Sequence, residues 1–129
     1  MNDADRARQG LAMRKRVLGE AHVERTLAAA TPATEDFQDL LTRHAWGDVW
    51  LRPGLDVRQR RLVVIATLVA LGRFEELHLH VGAALESGDL RAAEVKEVLL
   101  QQAVYCGIPA ANQAFHVVGS LLESPGAGA

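Results

Sequence analysis

The amino-acid sequence predicts an all-α protein, a compact bundle of about six helices. Its 129 residues are enough for one domain. Apolar residues make up 49% of the chain, and strong helix formers dominate them, with 21 Ala and 18 Leu against two Ile and six aromatic residues. No segment alternates apolar and polar residues with the period of two that a half-buried strand requires. We therefore expect a single domain over residues 1–129, with flexible tails at 1–9 and 124–129.

The N-terminal part of the sequence predicts three helices. Apolar residues recur at helical spacing over residues 3–30, and Gly19 is expected to divide this stretch into two helices. A Thr-Pro-Ala-Thr segment then ends the second helix, and its last residue, Thr34, is a suitable N-cap for the third. Glu35 favours a helix start at the same place, because a carboxylate stabilises the positive end of a helix. The third helix carries Trp46.

The C-terminal part predicts four helices. Asp56 caps the first of them, whose second half is apolar on every side and must therefore be buried all round, either centrally or against another subunit. The second ends at Gly88, which occupies the position of a left-handed C-cap residue. Pro109 can begin the last one, because its fixed φ angle suits the first turn of a helix. The four segments are 57–71, 73–87, 89–106 and about 109–122.

Charge and hydropathy exclude several classes of partner. The formal net charge is −2 and the isoelectric point is near 6.2, so no surface for nucleic acid or anionic membranes is indicated. The longest apolar run, residues 62–72, spans about 16 Å as a helix, too short for a bilayer core of roughly 30 Å. Residues 1–10 lack the apolar core of a signal peptide. The sequence thus predicts a soluble, cytoplasmic protein with no nucleic-acid or membrane partner.

Two of the five histidines lie together in the segment 75–80. Glu76 and His80 are four residues apart on a helix, so the carboxylate can contact the imidazole, fix its tautomer and raise its basicity. His80 and His78 fall on opposite borders of the buried stripe, and the pattern alone does not choose between them. A histidine at such a border is more often an ordinary surface residue than a catalytic one. The buried stripe consists of Phe74, Leu77, Val81, Ala84 and Leu85.

The sequence predicts no metal site. Glu75-x-x-His78 matches half of a carboxylate-bridged di-iron motif, but such a site needs a second Glu-x-x-His and further inward-facing glutamates. The last helix offers only Gln113-x-x-His116. His78 and His80 have no further ligands at a spacing typical of zinc sites.

A single cysteine, Cys106, excludes an internal disulfide and a Cys-x-x-Cys redox or zinc site. Its apolar surroundings indicate a packed small residue rather than a nucleophile. The Glu94-x-x-Glu97 pair is most simply explained as a solvated helix face.

Three arginines, Arg58, Arg60 and Arg61, lie in the first turns of the apolar helix that follows Asp56. Cations are disfavoured at a helix N-terminus, so their presence calls for an explanation. One explanation is an ion pair with Asp56 or a solvated face. The other is that an arginine binds a carboxylate ligand, to which its planar fork of N–H donors is well matched.

These residues belong to a set of motifs that resembles the 4-carboxymuconolactone decarboxylase family. The resemblance covers roughly residues 10–120 and implies an alkyl-hydroperoxidase-like helical fold. Thiol peroxidases that share this fold work through Cys-x-x-Cys, which is absent here, so that branch is excluded. Three positions depart from the family pattern, as a relative with a changed substrate would show: His44, Arg61 and Cys106. The matching segments are 16–23, 46–60, 70–80, 94–105, 107–112 and 114–116.

The resemblance implies decarboxylation of an acidic lactone without a cofactor, in the protocatechuate branch of the β-ketoadipate pathway of aromatic catabolism. The substrate is its own electron sink, because the electrons released with carbon dioxide flow through a double bond into the lactone carbonyl. His80 would be the general acid or dienolate stabiliser, oriented by Glu76. The implied substrate-binding residues are Arg58 or Arg60 for a carboxylate, Trp46 as an apolar wall and His116 as a second polar group.

The resemblance also implies a homo-oligomer, typically a hexamer. Leu79 agrees with this, because it points to the face opposite the buried stripe of its helix. Two alternatives stay open at this stage. The chain could decarboxylate a different lactone or keto acid, or it could be a non-catalytic oligomer that binds small acids.

Overall fold

The computed structural model describes residues 1–123, and every regular element in that range is helical, which confirms the all-α prediction. The predicted tail at 124–129 lies outside the described residues. Gly19 separates the first two helices with a φ of 96°, and Gly88 ends α5 with a φ of 78°, both as expected. The elements are α1 (Asp3–Leu18), α2 (Glu20–Ala28), α3 (Glu35–Leu40), a π-helix (Leu41–Val49), α4 (Val57–Leu71), α5 (Phe74–Ser87), α6 (Ala92–Cys106) and α7 (Ile108–Glu123).

The chain forms two compact units, a first unit of residues 1–56 and a second unit that begins at Val57. That residues 1–129 form a single domain stays a prediction.

Residues 3–9 do not form the predicted tail, because they are the beginning of α1. The side chain of Asn2 caps this helix by accepting a hydrogen bond from the Asp5 N–H at 2.8 Å. Arg6 pairs with Asp48 of the π-helix at 2.6 Å, which ties the segment to the rest of the unit.

Within the first unit, α1 crosses the π-helix at a contact between two glycines. A Cβ atom at Gly10 would lie 2.2 Å from the carbonyl oxygen of Thr42. A Cβ atom at Gly47 would lie 2.8 Å from the carbonyl oxygen of Arg6. The two backbones therefore approach each other more closely than any residue with a side chain would allow.

A buried arginine continues this contact one turn further along α1. The side chain of Arg14 is 5% exposed, and its two terminal nitrogens donate to the Gln38 Oε1 at 2.7 Å and to the Thr42 Oγ1 at 3.2 Å. Burial lowers the pKa of this guanidinium from its usual value. Arg6, Gly10 and Arg14 follow one another at intervals of four residues, so they lie on one face of α1. That face supplies all three contacts to α3 and the π-helix.

The π-helix replaces the second half of the α-helix that the sequence predicts from Thr34 onward. Its wider turn is seen where the Trp50 N–H donates to the carbonyl of Ala45, five residues earlier, at 3.0 Å. Continuous π-helices of this length are rare, and shorter π-bulges are frequent at functional sites.

The second unit is a four-helix arrangement in which α4 and α7 each pack against both α5 and α6. The predicted buried stripe of α5 is confirmed, with Phe74 partly buried at its edge. Within residues 1–123, helix α4 buries only one face, and its apolar residues Val63 and Leu71 are exposed. The buried core comprises Ile65, Val69, Leu77, Val81, Ala84, Leu85, Leu90, Ala92, Val95, Leu99, Ala114 and Val118.

Replacement of Gly10 by alanine is expected to lower the free energy of unfolding by about 2 kcal/mol, because the new methyl group must push α1 away from the π-helix. The matched control is Gly119→Ala in α7, where a Cβ atom meets nothing within 4 Å. That change should raise stability by roughly 0.5–1 kcal/mol, since alanine is the better helix former. Urea denaturation of both variants measures the difference. Equal stabilities would show that the glycine contact is not required.

Candidate active site

The three arginines at the start of α4 do not share one environment. Arg58 forms an ion pair with Glu94 of α6. The Glu94 Oε1 also accepts a hydrogen bond from the backbone N–H of Arg91 at 3.1 Å and lies 3.5 Å from the Arg91 Nε. The prediction that Glu94 lies on a solvated face is therefore wrong, because this carboxylate joins α6 to the first turn of α4.

Arg61 is the most deeply buried of the three, with 1% of its surface exposed. Its Nε donates to the Asp89 Oδ2 at 2.9 Å, and its Nη2 donates to the Ser87 Oγ at 3.3 Å. The Ser87 hydroxyl donates to the carbonyl of Ala84 at 3.1 Å and accepts from the Asp89 N–H at 3.2 Å. Arg61 thus fixes the start of α4 to the turn between α5 and α6.

Arg60 lies between these two arginines in sequence and is half-buried. Each residue of an α-helix is rotated by about 100° from the previous one, so Arg60 and Arg58 are about 200° apart around α4. The two arginines proposed for one carboxylate therefore leave the helix on nearly opposite sides.

Helix α5 carries the candidate general acid. His80 is half-buried, whereas Glu76, one turn earlier on the same helix, is exposed, as is His78. Within residues 1–123, no hydrogen bond or ion pair joins Glu76 to His80. The role of Glu76 in orienting the imidazole stays a prediction.

The two remaining predicted site residues, His116 and Trp46, belong to helices other than α4 and α5. His116 is on α7, where its side chain is exposed. Trp46 belongs to the first unit, where it is buried and stacks on Trp50 with ring centroids 5.0 Å apart and planes inclined by 28°. This aromatic pair anchors the last turn of the π-helix.

Gln102 of α6 is a polar residue that is not among the predicted site residues. Its Nε2 donates to the carbonyl of Ala66 in α4 at 3.2 Å and to the Cys106 Sγ at 3.3 Å. A glutamine among the apolar inward-facing positions of α6 is the sequence signal that marks it. Cys106 is half-buried beside it, as expected for a packed residue.

A cavity of about 580 Å³ lies along α6, beside the ion pair between Arg58 and Glu94. Its lining combines apolar side chains with charged ones. Among residues 1–123, no group of three or more His, Cys, Asp or Glu side chains could hold a metal ion. Over the same range, no helix has both the length and the apolar character needed to cross a membrane. The cavity is lined by Leu62, Arg91, Ala93, Glu94, Glu97, Val98, Leu100 and Gln101.

Comparison with known proteins gives a family match and several similar sequences. The model of the carboxymuconolactone decarboxylase family matches residues 35–119. A 4-carboxymuconolactone decarboxylase of Acinetobacter baylyi is 44% identical over 126 residues, covering 98% of this chain and 93% of the relative. A nitrosuccinic acid decarboxylase of Metarhizium robertsii is 42% identical over 109 residues, covering 84% of this chain and 76% of the relative. A 4-carboxymuconolactone decarboxylase sequence of Pseudomonas putida is 42% identical over 48 residues, 37% of this chain and 100% of the relative.

Replacement of Asp89 by asparagine is expected to lower the free energy of unfolding by about 3 kcal/mol, because it leaves the buried charge of Arg61 without its carboxylate. Asp39→Asn is the matched control, since Asp39 also binds an arginine, Arg43, but on the exposed surface. The control should leave the free energy of unfolding nearly unchanged. Urea denaturation checks both. An equal, small effect of the two substitutions would contradict a structural role for the buried pair.

Proposed function

The chain belongs to the carboxymuconolactone decarboxylase family, and from that premise we propose that it converts 4-carboxymuconolactone to the β-ketoadipate enol-lactone and carbon dioxide. The chain is an enzyme, a carboxy-lyase. The observation that carries the proposed substrate is the 44% identity to a 4-carboxymuconolactone decarboxylase over nearly the full length of both chains. A place in protocatechuate degradation and a cytoplasmic location belong to the same proposal.

The reaction needs little from the protein beyond binding, charge stabilisation and one proton. The leaving carboxylate is on the γ-carbon of an unsaturated lactone. When the bond to the leaving carboxylate breaks, its electron pair forms the β–γ double bond. The former α–β pair then forms a double bond from the α-carbon to the carbonyl carbon, and the carbonyl pair moves onto the lactone carbonyl oxygen. The resulting dienolate then takes one proton at the α-carbon, which balances the reaction. Groups aimed at the dienolate oxygen stabilise this charge as it develops.

His80 is the residue that we assign to the proton transfer. An imidazole titrates near neutral pH and can donate a proton to the α-carbon or a hydrogen bond to the dienolate oxygen. Its half-buried position on α5 supports this assignment, because a partly desolvated group interacts more strongly with a developing charge than one in open water. Glu76, Trp46 and His116 keep their proposed roles as orienter, apolar wall and second polar group.

A second candidate substrate is favoured by the nitrosuccinic acid decarboxylase, which is 42% identical over 84% of this chain. In nitrosuccinic acid the leaving carboxylate is on the carbon that bears the nitro group, so the nitro group can accept the electron pair that the lactone carbonyl accepts in 4-carboxymuconolactone. Both molecules are dicarboxylic acids with a built-in electron acceptor. The same binding groups therefore suit either substrate. Separate assays with freshly generated 4-carboxymuconolactone and with nitrosuccinic acid, following release of carbon dioxide, decide between them.

In the assay with 4-carboxymuconolactone, His80→Ala should lower turnover by about 10² or more, in the range typical of general acid–base groups. His78→Ala is the matched control, because His78 lies two residues away on the same helix and is exposed. The turnover of the His78→Ala protein should stay close to that of the unmodified chain. Normal turnover by a folded His80→Ala protein would remove the assignment.

We also propose that the chain assembles into a homo-oligomer, a hexamer by analogy with the family. An apolar strip on the outer side of α6 and the start of α7 supports self-association, since Val104 is 78% exposed and Tyr105 is 79% exposed. Leu100 and Ile108 extend this strip. The exposed Val63 and Leu71 of α4 add apolar surface that self-association could cover.

The substitution Val104→Asp should shift the chain from a hexamer toward smaller species, because it places a charge within the apolar strip. Sedimentation velocity measures the change. Lys96→Asp introduces the same residue at another exposed position of α6 and should leave the oligomer intact. A stable monomer before any substitution would contradict the proposal.

A further inference from the structure

Another cavity, of about 420 Å³, lies within the first unit. Its volume is in the range of small-molecule binding sites. Its walls come from α1, from the end of α2 with the segment after it, and from the face that α3 and the π-helix share. None of the lining residues has a role in the proposed reaction. The cavity is lined by Ala7, Leu11, Leu27, Ala30, Glu35, Gln38, Asp39 and Thr42.

The polarity of this lining changes with depth. Glu35 and Asp39 are exposed, so they lie at the mouth of the cavity, whereas Thr42 is buried and lies at its inner end. Gln38 is half-buried and precedes Thr42 by one turn on the same helical face. Half-buried apolar side chains, among them Leu11, form the walls between. The inner end therefore presents a hydroxyl and an amide, and the mouth carries negative charge.

The guanidinium of Arg14 lies directly behind this inner end. Both of its acceptors, the Gln38 Oε1 at 2.7 Å and the Thr42 Oγ1 at 3.2 Å, belong to residues that line the cavity. A guanidinium has five N–H donors. Within residues 1–123, two of those donors have an acceptor, the buried Nε has none, and no carboxylate forms an ion pair with Arg14. A buried cation that only neutral groups hold is incompletely compensated, and an anion would compensate it.

The positive charge of Arg14 acts on its surroundings as well. The pKa of His22 on α2 is lowered by burial and further by the charges of Arg25 and Arg14. A proton on His22 is thus disfavoured by a field that favours an anion. This agrees with the excess of donors over acceptors around Arg14.

From these contacts we infer that the cavity of the first unit binds a small monocarboxylic acid with an apolar body. The carboxylate replaces the Gln38 oxygen at the Arg14 Nη2, since the planar fork of a guanidinium matches a carboxylate. The Gln38 side chain turns so that its Nε2 donates to the same anion, and the Thr42 hydroxyl donates a further hydrogen bond. The apolar body lies against Leu11 and its neighbours. A second carboxylate is disfavoured, because Glu35 at the mouth repels it.

Calorimetric titration of the full chain with benzoate tests this inference and does not depend on turnover. Benzoate should bind. Benzamide has nearly the same size and shape but no charge, so it should bind at least about tenfold more weakly, because hydrogen bonds to a charged group are the stronger ones. Inorganic phosphate should also bind at least about tenfold more weakly, because it loses the hydration of nearly two charges against one cation. No binding of benzoate, or equal binding of benzamide or phosphate, would overturn the inference.

Two substitutions locate the bound benzoate, because the proposed reaction site also takes acids. Arg14→Met removes the guanidinium but keeps an unbranched apolar stem, and it should weaken binding at least about tenfold. Ala30→Phe keeps Arg14 and fills the cavity, so it should weaken binding by a similar factor. Ala28→Phe is the matched control, since Ala28 is exposed on α2 and does not line the cavity, and its affinity should be unchanged.

Circular dichroism shows whether each variant is folded. If Arg14→Met does not fold, the comparison of Ala30→Phe with Ala28→Phe decides alone. Benzoate binding that Ala30→Phe leaves unchanged would place the ligand in another part of the protein and overturn the inference.

Discussion

The buried ion pair between Arg61 and Asp89 is the contact on which the arrangement of the candidate site depends. A guanidinium that is 1% exposed is stable only if its charge and donors are satisfied, and Asp89 and Ser87 satisfy them from the turn between α5 and α6. These contacts hold the first turn of helix α4 against the connection between α5 and α6. Because this ion pair fixes the rotation of α4 about its own axis, it also fixes the directions in which the side chains of Arg58 and Arg60 leave the helix. Arg61, one of the three positions that depart from the expected family pattern, therefore has a structural role.

Most of the fold could be predicted from local sequence. Apolar spacing and the glycines at Gly19 and Gly88 mark helices and their ends, because helix periodicity and positive φ angles are local properties. The π-helix could not be predicted in this way. Its presence accompanies a backbone contact between Gly10 and Gly47, and nothing in the local sequence shows that these two glycines meet. Residues 3–9 belong to α1, within the stretch whose apolar spacing predicts helices, but that spacing does not show that Arg6 finds its partner on the π-helix.

The candidate site was predicted less completely. His80 and Glu76 fall on one helix as their spacing requires, but spacing does not show whether their side chains bond. Glu94 was assigned to a solvated face because its partner, Arg58, belongs to a different helix. The surroundings of Arg58, Arg60 and Arg61 depend on how α4 packs against α5, α6 and α7, and local sequence does not contain that information.

We propose that side chains of this protein, His80 foremost, complete the decarboxylation of a substrate that supplies its own electron sink. The most direct test is to run the reaction on 4-carboxymuconolactone in D₂O and record the ²H NMR spectrum of the product, isolated at early times, in a chiral liquid-crystalline solvent, in which the two mirror-image positions on the α-carbon give separate signals. If His80 delivers the proton, each carbon dioxide released should leave one deuteron at the α-carbon, on one face only, because a fixed group delivers it. Deuterium divided equally between the two faces would contradict proton transfer from His80, since the dienolate would then be protonated by solvent outside the site.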